Sequence, residues 1–108
     1  MSKVIFPNMN KFGNKIRQLR TAKKIPLRKL AAFLDIDASI LSKIERGKRT
    51  TSREIVLKIA TFFELDSQIL LNEFLSDKIV NLIYEESNCN EILKLAEEKV
   101  EYLKKRDI

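Results

Sequence analysis

The chain has 108 residues, 44% of them apolar, with two Gly, two Pro, one Cys and neither His nor Trp. That composition fits one ordinary domain, or one small domain plus an extension, and favours helices; it excludes an internal disulfide and any His-assisted nucleophile, and all but excludes a His/Cys zinc site. The net charge of +6 is unevenly spread: residues 1–63 hold 15 basic and 4 acidic side chains, net +11, and 64–108 hold 6 and 11, net −5. A basic half joined to an acidic half points to a polyanion for the first and another task for the second.

Residues 1–9, MSKVIFPNM, show no sustained period and contain Pro7, which predicts an irregular N-terminal arm. Over 10–23, Phe12, Ile16 and Leu19 stand at helical spacing with Lys15, Arg17 and Arg20 between them, a basic amphipathic helix. Leu27, Leu30, Ala31 and Leu34 follow at i, i+3, i+4 and i+7. They predict a second helix over 26–34, opened by Pro26, whose missing N–H costs nothing there. Asp35-Ile36-Asp37 interrupts, and Asp37 is the expected N-cap of a third helix over 38–46 because its carboxylate can accept from orphan N–H groups. Gly47 ends that helix, and Lys48-Arg49-Thr50 forms a short basic loop.

Thr51-Ser52-Arg53-Glu54 reads as a capping box, with Thr51 as N-cap and Glu54 at N3. The helix it opens runs to about 63, with Ile55, Val56, Ile59, Ala60 and Phe63 inward. Asp66 is the next N-cap. From 67 to 86 the pattern stays helical, and Ser76-Asp77 is a candidate break. Ser87-Asn88-Cys89-Asn90 is a turn in which Asn88 and Asn90 are equally good caps. The last helix, about 90–106, carries Ile92, Leu93, Ala96, Val100 and Leu103. Cys89 reads as an inert turn thiol, since nothing basic sits beside it in sequence.

Residues 27–47, LRKLAAFLDIDASILSKIERG, meet the demands of a helix-turn-helix. Two helices that cross steeply need a small residue at the crossing, and Ala31 is small. The turn needs a side chain that folds back into the angle, and Ile36 is available. The second helix needs an apolar face, and Ile40, Leu41 and Ile44 supply it. Ser39, Ser42, Lys43 and Arg46 then form an outward stripe with two hydroxyls, one ammonium, one guanidinium and no carboxylate. Such a stripe suits the base edges of a DNA major groove. The competing reading is a plain αα-hairpin with a polar outer face, and the +11 half with its basic flanks weighs against it.

Here the chain resembles the Cro and phage-repressor class of XRE-like regulators. The resemblance spans residues 12–75. It rests on Phe12-Gly13-x-x-Ile16-Arg17-x-Leu19-Arg20, on Leu30-Ala31, on Leu41-Ser42-Lys43-Ile44-Glu45-Arg46-Gly47-Lys48-Arg49, on Ile59-Ala60 and on Leu65-Asp66. It implies an all-α five-helix repressor-like bundle that binds operator DNA as a dimer. It places Ala38, Ser39, Ser42 and Lys43 at base edges, and Arg46, Lys48, Arg49, Thr51 and Ser52 at phosphates. Lys43 fits guanine O6 and N7, with a phosphate contact as its alternative. Glu45 reads as a structural partner of Arg20 or Arg17. Two positions depart from the family pattern. Asp35 stands where Gly is usual, and Pro26-Leu27 replaces the usual Thr-Gln, so Leu27 cannot make the Gln's phosphate contact.

Domain boundaries follow: an arm over 1–9, a DNA-binding domain over 10–75 and a C-terminal helical extension over 76–108. The extension is too small to bury both its apolar faces alone. A homodimer through Phe74, Ile79, Ile83, Ile92, Ala96 and Val100 is the expectation, because a two-fold operator needs two recognition helices. The function expected is a sequence-specific transcriptional regulator, of the kind that controls restriction–modification systems, acting without enzyme activity, cofactor or evident small-molecule ligand. The alternative is an antitoxin-type module whose acidic C-terminal region binds a basic partner. No apolar run approaches the ~20 residues of a membrane span and no signal peptide opens the chain, so a cytoplasmic location is expected.

Overall fold

The computed structural model describes residues 11–107, and the arm expected over 1–9 lies outside them. The described residues form helices without strands: α1 (Lys11–Ala22), α2 (Leu27–Leu34), α3 (Ala38–Glu45), α4 (Arg53–Phe63), α5 (Ser67–Ile83) and α6 (Cys89–Arg106). The fold is the all-α repressor type with a C-terminal helical extension. Two compact units divide the chain, one running to Asp77 and the other starting at Lys78. No described helix is long and apolar enough to cross a membrane.

The first unit is built around Ile16, Leu30, Leu34, Leu41, Val56, Ile59 and Leu70, all fully buried. These are the positions that the 3.6-residue period places inward on five successive helices. Phe12 and Phe74 close one end of the core with an edge-to-face ring contact at 5.3 Å. Ala31 is buried on α2, and Gly13 seats α1 on the end of α3. A Cβ at Gly13 would collide with the Ile44 carbonyl oxygen and lie 3.1 Å from that of Glu45, so only Gly allows this approach.

The turns share one device. α1, α2, α3 and α4 each end on a left-handed residue: Lys24, Asp35, Gly47 and Glu64, with φ of 56°, 59°, 74° and 55°. In each case the next amide reaches back five residues to a helix carbonyl: Ile25 to Arg20, Ile36 to Ala31, Lys48 to Lys43 and Leu65 to Ala60. Three of these closing residues, Ile25, Ile36 and Leu65, are apolar and pack against the core. That contact lets a non-Gly residue hold a left-handed backbone costing about 1–2 kcal/mol. Asp35 therefore does adopt the conformation for which the family uses Gly.

Helix starts differ from the sequence reading in two places. Ser52, not Thr51, caps α4: its Oγ accepts from the Ile55 amide at 3.2 Å. The helix begins one residue later than the capping-box pattern implies, so N3 is Ile55 and Glu54 cannot complete the box. Asp37 stands at the N-cap of α3 with extended backbone, but its carboxylate makes no cap bond. Its carbonyl alone serves the first turn, accepting from Ile40 and Leu41. Asp66 does cap α5, with Oδ1 accepting from Gln68 and Ile69 at 2.9 and 3.1 Å.

α5 passes through Ser76-Asp77 unbroken. Both side chains find partners that a helix permits. Ser76 Oγ donates back to the Glu73 carbonyl at 3.0 Å, and Asp77 Oδ2 accepts the Phe12 amide at 2.8 Å. Asp77 thus caps α1 from a distant point in the chain. Phe74, expected at a dimer contact, is instead only 4% exposed in the core beside Phe12, so it is not available to a partner.

In the second unit α6 starts at Cys89 behind Asn88, which makes no side-chain cap bond. The Cys89 thiol donates to the carbonyls of Ile83 and Glu86, both at 2.9 Å, and so closes the turn. α6 buries none of its residues.

Candidate nucleic-acid interface

α3 is held by its inner face. Leu41 and Ile44 are buried, and Ile40 is half-buried above Ile36 and Ile55. This leaves Ser39, Lys43 and Arg46 exposed on the outer side, with Ser42 half-buried between them. Residues at 39, 42, 43 and 46 of one helix fall on a single stripe about 10 Å long. Ala38 lies at the edge of that stripe, partly packed against the core. Lys48 and Arg49 are exposed in the loop beyond Gly47, as is Ser52, and Thr51 is half-buried. The structure therefore brings every sequence-derived base and phosphate candidate onto α3 or the loop that follows it.

Glu45 is the one acidic side chain of α3, and it is removed from this surface. It is 5% exposed and receives Arg20 through two bonds, Nε to Oε2 at 2.8 Å and Nη2 to Oε1 at 3.0 Å. The third arm of the Arg20 fork donates to the Ile25 carbonyl at 2.9 Å. The bond to Glu45 raises the Arg20 pKa above its ordinary value, against the desolvation that lowers it. Sequence spacing left Arg17 and Arg20 as equal candidates for this pair, and only the packing of α1 on α3 separates them. The pair ties those two helices together and leaves the outer face of α3 with positive charge only.

Two hollows flank the stripe. One is apolar at its base, with Ile36, Ile40, Ile44 and Ile55, and is rimmed by Arg49, Thr50, Thr51 and Ser52. The other is a notch lined by Arg17, Arg20, Leu27, Ser42, Glu45 and Arg46. Arg17 was not among the contact residues suggested by the sequence. Its signal was weak, one more cation on a basic helix.

The helix-turn-helix family model matches residues 16–70, slightly more than half of the chain and all of this surface. The chain belongs to the XRE-type helix-turn-helix family. Among curated proteins it is similar to RghRB of Bacillus subtilis (strain 168), an uncharacterized HTH-type transcriptional regulator, with 40% identity over 50 residues. That match takes 46% of this chain and 36% of RghRB, so the chain spans little more than a third of that relative. Among solved structures it is similar to the restriction-modification controller protein C.AhdI from Aeromonas hydrophila, at 35% identity and a TM-score of 0.53. The alignment covers 60% of this chain and 98% of C.AhdI. The clp gene regulator ClgR from Corynebacterium glutamicum shares the fold over 90% of both chains, with a TM-score of 0.54 and 21% identity.

Proposed function

We propose that the chain is a sequence-specific transcriptional regulator that lays α3 in the major groove of operator DNA and binds as a homodimer. One observation carries the reading. Ser39, Lys43 and Arg46 of the outward stripe stay exposed, with Ser42 half-buried between them, while the sole carboxylate of the helix is buried and neutralised by Arg20. In this reading Ala38, Ser39, Ser42 and Lys43 meet base edges. Arg46, Lys48, Arg49, Thr51 and Ser52 hold the flanking phosphates, and residues 10–75 act as the DNA-binding domain.

Residues 76–108 serve dimerisation. The support is apolar surface left uncovered after the chain has folded: Ile79 at 49%, Ile92 at 36% and Val100 at 50% exposure, with Ala96 exposed beside them. Ile83, half-buried, completes the contact set. The likeness to the restriction-modification controller protein C.AhdI supports a narrower role, control of a restriction–modification system.

Titrating a labelled duplex over a range of salt concentrations tests the reading. A dimer that neutralises about 8 phosphates gives a log–log slope near −7. A flat salt response would reject it.

A further inference from the structure

The notch beside the recognition stripe has a charge balance that the pairing of Glu45 decides. It is lined by three arginines and one glutamate. Arg20 consumes Glu45 completely, with both carboxylate oxygens bonded and the remaining arm of the fork spent on a backbone carbonyl. Arg17 sits one helical turn before Arg20 on α1, exposed, and no ion pair among the described residues includes it. Across the notch stand Ser42 and Arg46 from α3, with Arg46 Nε donating to the Ser42 carbonyl at 3.3 Å. Leu27, at the start of α2, contributes an apolar wall. The notch therefore carries net positive charge and opens next to the face that meets DNA.

We propose that this notch holds a DNA backbone phosphate and that Arg17 is the side chain that grips it. A guanidinium fork matches two phosphate oxygens. Arg17 thereby supplies from α1 the contact that Leu27, standing where a glutamine is usual, cannot make from α2. The proposal rests on the DNA-binding reading and adds α1 to the contact surface.

The test compares wild type, Arg17→Ala, Arg17→Lys and, as a control in the second unit, Lys105→Ala, by anisotropy on labelled duplexes of several sequences. Arg17→Ala is expected to flatten the salt slope by about 0.9 per subunit and to weaken binding about fivefold per subunit near 0.15 M salt. The loss is the same on every duplex. Arg17→Lys keeps the slope and loses part of the affinity, since the charge remains and the fork does not. Lys105→Ala changes neither. If Arg17→Ala behaves like the control while wild type keeps a steep slope, the proposal falls and the DNA reading stands. A flat slope for wild type removes both. A loss confined to particular sequences makes Arg17 a base reader and overturns the phosphate assignment. Saturable thermal stabilisation of wild type, but not of Arg17→Ala, by inorganic phosphate would replace the duplex with a free anion as the ligand.

Discussion

The two units of this chain use apolar residues in opposite ways. Every buried apolar side chain among the described residues lies in the first unit, from Phe12 to Phe74. α6 is as rich in Ile, Leu and Val at helical spacing and buries none of them. The first unit holds the core, and α3 is anchored to it by the buried Leu41 and Ile44. Most helical stability in proteins comes from packing of an apolar face, so the apolar residues of α6 contribute once something covers them. The same residue types are thus buried in one region and left exposed in the other.

Substitutions can break this contrast. The largest effect is expected at the Arg20–Glu45 pair. Glu45→Ala leaves a half-buried guanidinium without its carboxylate and should cost about 1–3 kcal/mol in urea unfolding. Leu103→Ala on exposed α6 should change the same monomer transition by less than about 0.5 kcal/mol. A Leu103→Ala loss as large as that of Glu45→Ala would mean that the second unit carries the core stability. Next comes Val100→Asp, which places a charge on the proposed dimer face. Sedimentation should show a weaker dimer, and operator affinity should fall with it, while the urea transition of the first unit stays in place. Unchanged mass would remove Val100 from the interface.

The smallest effect is at the left-handed turn. Asp35→Gly should stabilise the first unit by about 0.5–1 kcal/mol, because φ of 59° strains any side chain there. Loss of stability instead would show that the Asp35 side chain makes a contact worth more than its backbone strain.

Sequence periodicity was enough to place the helices and the outward stripe of α3, because those depend on residues a few positions apart. The motif residues Ala31, Ile36, Leu41 and Ile44 act within one supersecondary unit, and each sits where local spacing puts it. What escaped the sequence depends on distant packing. Arg17 and Arg20 are one turn apart and equally able to reach a carboxylate, until Gly13 lets α1 close on α3 and Arg20 alone aligns. Ser76-Asp77 looks like a helix break because its partner, the Phe12 amide, is 65 positions away. Phe74 shares an apolar pattern with Ile79 and Ile83, and nothing local says that the core ends between them. The choice between Thr51 and Ser52 as cap turned on a one-residue shift, which propensity does not resolve.

The central claim, that the exposed face of α3 reads base sequence, is tested most directly by selecting bound duplexes from a random pool with wild type and Lys43→Ala in parallel. The account predicts that wild type enriches a two-fold symmetric motif, with half-sites about 34 Å apart, one helical turn of DNA. It predicts that Lys43→Ala loses its preference at one position in each half-site and keeps the rest. An identical motif for both proteins, or no enriched motif for wild type, would contradict it.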